Sequence, residues 1–167
     1  MTSIIKVDNI QNSGGTAGIE INSSGVPLMK NIPHLSVTFD GNSTAVSSGD
    51  NIFDTSETAA HIIDSRHDIT IASDGDITIN TAGIYVVSFY TMTQTRYVYI
   101  NININGTMKL RPYFDGASDS NNGWQSASMS GIFSLNANDV LTVTAGIAQS
   151  LHGKQHTRFT AYMIGGQ

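Results

Sequence analysis

The chain alternates apolar and polar residues along much of its length, most regularly in Tyr97–Ile104, "YVYININI". Val98, Ile100, Ile102 and Ile104 point to one side of an extended backbone there, and Tyr97, Tyr99, Asn101 and Asn103 to the other. Four apolar residues at period two predict a half-buried antiparallel strand. Asn105-Gly106 follows at once, a pair that accepts the positive φ angles of a two-residue hairpin turn. Further strands are predicted at about His34–Phe39, Asp68–Ala72, Asp76–Asn80, Ile84–Thr93, Met108–Tyr113, Ala127–Leu135, Val140–Ala145 and Thr157–Ile164. Turn residues at Asp74-Gly75, Ala82-Gly83, Asp115-Gly116, Asn136–Asp139 and His152-Gly153 punctuate them. Only "DTSETAAHIIDSR", capped by Thr55 or Ser56, reads as helical, for one or two turns. Many short strands at this spacing, punctuated by turn residues, read as an all-β sandwich or jelly roll.

The pattern changes near Ile32-Pro33. Ile10-Gln11-Asn12-Ser13-Gly14 is echoed eleven residues later by Ile21-Asn22-Ser23-Ser24-Gly25, two copies where a solenoid needs more. The apolar residues of this stretch, chiefly Ile4, Ile5, Val7, Ile10, Ile19 and Ile21, are too few to close a core. They are the candidate assembly anchor. Residues 1–33 are therefore expected to form a β-rich anchor or stalk that needs sister chains or a host surface, and residues 34–167 a head domain.

Composition narrows the class. The 167 residues suffice for one domain with a small appendage. Charged residues make up 13%, against about 25% in ordinary soluble domains, and Ser, Thr, Asn and 16 glycines take their place. The net charge of -5 disfavours nucleic acid as a partner. From Asp40 to Asp76 eight acidic residues face one base, Arg66, whereas Arg96, Lys109, Arg111, Lys154 and Arg158 outnumber the acids that follow. Such asymmetry serves protomer–protomer complementarity or merely marks solvated loops. With no cysteine there is no disulfide framework or thiolate metal site. No signal-peptide pattern opens the chain and no run is long enough to span a bilayer, so no membrane partner is expected.

Catalytic motifs are missing: there is no HExxH, phosphate-cradling glycine loop or nucleophile elbow. A non-enzymatic protein without cofactor or metal is expected. His152 and His156 would share a face only on a helix, and Gly153 between them argues for an exposed turn. Asp74 with Asp76, or Asp115, Asp119 and Asn121, offer oxygen ligands without a complete calcium loop, and hairpin-turn chemistry accounts for the Asp-Gly pair. Tyr97, Tyr99, Asn101 and Asn103 form a candidate interface between copies of the chain, aromatics being enriched at interfaces; the alternative is a wet outer sheet face. The loop Asp115–Ser128, "DGASDSNNGWQSAS", mixes small polar residues with the single tryptophan. With Tyr113 it supplies a candidate recognition surface, namely Tyr113, Asp119, Asn121, Asn122 and Trp124. The alternative is Trp124 folded back over the sandwich edge.

Four phrases in order carry a resemblance. "INTAGIYVVSFYT", "VYININGT", "SGIFSLNANDVLTVTAG" and "RFTAYMIG" resemble successive strands of the complement globular-head and tumour-necrosis-factor superfamily, over about Ile77 to Gly165. The stretch Asp40 to His67 departs from that pattern. The resemblance implies an antiparallel jelly-roll sandwich of about ten strands that forms a homotrimer about a threefold axis, with Tyr97, Tyr99, Asn101 and Asn103 as its candidate trimer interface, and that acts by binding. Separately, "TSIIKVDNIQNSGG" and "INSSGVPL" resemble the leader of short virion structural proteins of tailed phages, especially aquatic ones. Together they imply a capsid-decorating or cement knob, or a short fibre, on the outer surface of a virion. Its N-terminal segment would bind the major capsid protein or another virion protein. A tail-fibre head that binds a host-surface glycan or receptor is the alternative, and a hydrolase on a jelly-roll frame is disfavoured.

Overall fold

The structure, a computed structural model, describes residues 9–11, 17–21, 23–28, 32–56, 61–66, 68–94, 97–115 and 124–166. The chain forms two compact units, Met1–Ile32 and Pro33–Gln167. The first holds an antiparallel sheet of β1 (Asn9–Gln11), β2 (Ala17–Ile21) and β3 (Pro27–Leu28). Ile10 lies opposite Ile19, and Glu20 opposite Leu28. Gly25, at φ 78°, takes the left-handed backbone needed between β2 and β3. Ile19 is half-buried and Ile21 exposed.

The second unit is a sandwich of two antiparallel sheets. Its strands are β4 (His34–Phe39), β5 (Ser43–Val46), β6 (His61–Arg66), β7 (Ile69–Ile71), β8 (Ile77–Ile79), β9 (Gly83–Thr93) and β10 (Tyr97–Ile104). There follow β11 (Thr107–Leu110), β12 (Tyr113–Asp115), β13 (Gln125–Leu135), β14 (Val140–Ala145), β15 (Gln149–His152), a short 3-10 helix (Lys154–His156) and β16 (Arg158–Gly165). One sheet runs β11-β10-β14-β8-β7, with β12 also on β10; the other runs β5-β15-β9-β16-β4-β6, with β13 along β9. This is the expected all-β jelly roll.

Period-two alternation builds the core from both sheets. Val98, Ile100 and Ile102 of β10 and Tyr85, Val87 and Phe89 of β9 turn inward and lose essentially all contact with water. Ile52 and Phe53, in the loop after β5, complete it: the Ile52 N–H donates to the Val143 carbonyl at 2.9 Å, and the Phe53 ring meets Phe159 edge-on at 6.4 Å. The β10–β11 hairpin turns at Asn105 and Gly106, at φ 50° and 72°, as their pairing predicts. Gly153 is required for a different reason. A Cβ there would lie 1.7 Å from the Gly41 carbonyl oxygen, so the β15–helix corner closes only on glycine.

Three local expectations are corrected. His61–Arg66, expected within a helix, is strand β6 and pairs residue by residue with β4, from His34 opposite Arg66 to Phe39 opposite His61. Satisfying that open sheet edge outweighs the weak helical preference of the segment. The strand expected over Met108–Tyr113 is broken at Arg111-Pro112 into β11 and β12, because Pro112 has no N–H to give a ladder. Ser43–Val46 and Gln149–His152, not expected as strands, pair with each other as β5 and β15.

Phe159→Ala empties the centre of this core. The protein should lose about 3–5 kcal/mol of unfolding free energy, measured by urea denaturation. A loss below about 1 kcal/mol would contradict the placement of Phe159 between the two sheets.

Candidate functional site

The outward face of the β9 sheet is ordered in rows across its strands. Val86 of β9 stands between Ile132 of β13 and Tyr162 of β16. Ile132 is 66% exposed, Ile164 53% and Tyr162 44%, and Ile84 is exposed beside them. Large apolar side chains gathered on one face, rather than scattered singly, mark an interaction surface. The next row is hydroxylic: Ser130, Ser88, Thr160 and Ser36 lie opposite one another on four strands, with Ser88 Oγ 2.6 Å from Thr160 Oγ1. Beyond it come Ser128, Tyr90 and Arg158, then Ser126 and Met92. At the β6 edge His34 Nε2 lies 3.8 Å from Asp64 Oδ1.

Tyr97, Tyr99, Asn101 and Asn103, offered by the sequence as an interface, share the outward face of β10 on the other sheet, and Tyr99, Asn101 and Asn103 have intrachain side-chain partners there. Arg111 lies 4.6 Å over the Tyr99 ring, donates from Nη1 to the Tyr99 hydroxyl at 3.2 Å and from Nε to Asn101 Oδ1 at 2.6 Å. Asn103 Nδ2 donates to Thr142 Oγ1 at 3.0 Å and Thr144 Oγ1 at 3.2 Å. Tyr97 pairs across the sheet with Asp115.

The anchor and loop residues are only partly within the described chain. Ile4, Ile5 and Val7 lie outside it; Ile10 is described only as backbone in β1. Asp119, Asn121 and Asn122 also lie outside it, and Tyr113 is described as backbone in β12, opposite Tyr99. Trp124 is described. Its ring, 38% exposed, stacks on His152 at 4.4 Å, and His152 stacks on His156 at 4.1 Å. The exposed turn expected for the two histidines is thus corrected: the 3-10 helix folds His156 back onto His152, and both are half-buried. Thr157 helps hold this corner, its hydroxyl donating to the His152 carbonyl at 2.6 Å.

Among the described residues no cluster of three or more His, Cys, Asp or Glu is arranged to hold a metal. Asp74 instead serves its turn, Oδ1 accepting the Asp76 N–H at 3.1 Å across Gly75 at φ 83°. Asp76 accepts from Asn51 Nδ2 at 3.4 Å. Loss of hydration, and then the neighbouring Asp74 charge, push the Asp76 carboxyl above its ordinary value of 3.8, with the Asn51 bond opposing them.

No protein-family model matches the chain, and no curated protein sequence matches it. Solved structures do. A tumour necrosis factor, Eiger, from S. frugiperda is 12% identical, with a TM-score of 0.65, over 82% of this chain and 96% of that one. The globular domain of zebrafish complement 1qA is 15% identical, with a TM-score of 0.61, over 81% and 99%. Murine APRIL is 15% identical, with a TM-score of 0.58, over 80% and 100%. At these identities the likeness establishes the fold: a jelly roll of the tumour-necrosis-factor and complement-head type, as the sequence motifs implied.

Asp76→Asn tests the local electrostatics. A raised carboxyl in the folded state favours folding in acid, and that contribution is lost as pH rises through the folded value. The substitution should therefore raise the melting temperature slightly at neutral pH, a gain that disappears below 3.8. An equal gain at both pH values would show that charge is not its cause.

Proposed function

We propose that this chain is a non-enzymatic, trimeric structural protein of a tailed-phage virion. In this reading it is a knob or short fibre on the outer surface of the capsid or tail, seated by residues 1–33 on the major capsid protein or another virion protein. The observation that carries self-association is the row Ile132–Val86–Tyr162 with its neighbours Ile84 and Ile164. A water-facing apolar row of this kind is stabilised when a second surface covers it, at roughly 25 cal/mol per Å² of apolar area removed from water. Copies of the same chain supply that surface, and a closed rotational arrangement uses it fully without leaving an open end. The likeness to the jelly-roll heads supports a threefold arrangement, and the opening "TSIIKVDNIQNSGG" supports the virion setting.

The Ile132 side chain is mostly in water in the protomer, so its replacement touches little else in the fold. Ile132→Asp should reduce the mass measured by light scattering from three protomers to one, with the circular-dichroism spectrum unchanged. An Ile132→Asp protein that keeps the mass of three protomers would remove this face from the interface. Deletion of residues 1–31 should leave a folded trimeric head that no longer enters phage particles; normal incorporation of the shortened head would refute the anchor role.

A further inference from the structure

Asn105 and Gly106 do more than turn the β10–β11 hairpin. Both are exposed, at φ 50° and 72°, and a Cβ at Gly106 would meet nothing within 4 Å. The Asn105 side chain is nevertheless held at both ends. Its Oδ1 accepts the Val140 N–H at 2.9 Å, and its Nδ2 donates to Asp139 Oδ1 at 2.8 Å. The partners dictate which end is which, because a backbone N–H only donates and a carboxylate only accepts. The Asn105 N–H also donates to the Val140 carbonyl at 2.8 Å, so Asn105 closes a ring of bonds with the start of β14. Asp139 is committed to its own turn as well, its Oδ2 accepting the Asn136 N–H at 2.7 Å. One carboxamide thus ties the β10–β11 turn to the β13–β14 turn.

An asparagine followed by glycine has a chemistry of its own. The Gly106 nitrogen, once it has lost its proton to hydroxide, attacks Cγ of Asn105. An N–Cγ bond forms, the Cγ–Nδ2 bond breaks, and the amide leaves as ammonia. Water then opens the resulting imide ring at either carbonyl, leaving aspartate or its β-linked isomer at 105; the net change is the hydrolysis of one amide by one water. Glycine permits the attack because it has no Cβ to obstruct the approach. Two features of this turn oppose it. Attack makes Cγ tetrahedral and swings Nδ2 and Oδ1 out of the positions in which Asp139 and Val140 hold them, and a bond to a carboxylate is roughly twice as strong as a neutral one. The Asp139 charge also opposes loss of the Gly106 proton and the negative charge that develops on Oδ1.

We infer that Asn105 is a covalent modification site whose deamidation Asp139 holds back, and whose conversion unfastens this end of the sandwich. Aspartate at 105 puts a carboxylate oxygen where Nδ2 now stands, 2.8 Å from Asp139 Oδ1, and the two like charges repel. The β-linked isomer lengthens the backbone and abolishes the two-residue turn. The site lies within one protomer and does not rest on the proposed trimer or its setting.

The chain holds one other Asn-Gly pair, Asn122-Gly123, which serves as a reference in the same molecule. Trypsin, cutting after Lys109, puts Asn105 in the peptide 97–109 and Asn122 beyond it. The full-length protein, its Asp139→Ala variant and the isolated peptide 97–109 are incubated at mildly alkaline pH, and amide-to-acid conversion is followed by peptide mapping and mass spectrometry. Asn105 should convert at least about tenfold more slowly in the folded protein than in the peptide. Asp139→Ala should accelerate Asn105 at least about threefold and leave Asn122 unchanged. If that variant does not fold, Asp139→Asn, which keeps the shape without the charge, is read in the same way. Asn105→Asp, which imitates the product, should lower the melting temperature at neutral pH, by an amount that shrinks as acid neutralises the carboxyls. Conversion of Asn105 as fast in the folded protein as in the peptide would overturn the assignment. So would an unchanged Asn105 rate in the folded variant, an equal acceleration at Asn122, or an Asn105→Asp protein as stable as the parent at neutral pH.

Discussion

Strand β9 is hydrogen-bonded along both edges, to β13 from Gly83 to Thr93 and to β16 from Ile84 to Tyr90, and this position dictates much of the rest. A strand held so has two faces and no free edge. Tyr85, Val87 and Phe89 fill the inward face and meet the opposite sheet. Ile84 and Val86 fall on the outward face, Ile84 exposed and Val86 half-buried. A two-layer fold has one interior and accepts only alternate residues of each strand. The neighbours repeat the conflict at the same level of the sheet, with Ile132-Phe133 on β13 and Tyr162-Met163-Ile164 on β16. Three adjacent strands that are apolar on both sides at one height define a second surface to be covered, and a sister chain is the simplest cover.

The outer faces of the two sheets consequently have opposite chemistry. On β10 and β14 the side chains are bound to one another, with Arg111 holding Tyr99 and Asn101, and Asn103 holding two threonines. On β9, β13 and β16 the apolar row gives way to hydroxyls and then to a hollow lined by Tyr90, Met92, Ser126, Ser128 and His156. A single sheet face thus holds an apolar half and a polar half, separated by the row of Ser130, Ser88, Thr160 and Ser36.

Much of the fold was legible in the sequence because it rests on local pattern. The Ile stripe of "YVYININI" is buried where its period places it, and Asn105-Gly106 turns the chain where its angles allow. What the sequence concealed depends on long-range pairing. His61–Arg66 becomes a strand only because β4 offers it an edge, and Ser43–Val46 only because Gln149–His152 arrives from the far end of the chain. The stacking of His152 on His156 needs the corner at Gly153 and the 3-10 turn after it, a geometry that a four-residue spacing does not announce. The outward apolar row was legible in the sequence only as broken alternation: Val86-Val87 and Ile132-Phe133, apolar on both sides.

Burial of the outward apolar row of β9, β13 and β16 between copies of this chain, as proposed, is tested most directly by sedimentation equilibrium of the unmodified protein over the micromolar range. One species with the mass of three protomers is expected throughout that range. A stable single protomer, or a two-protomer species, would contradict it.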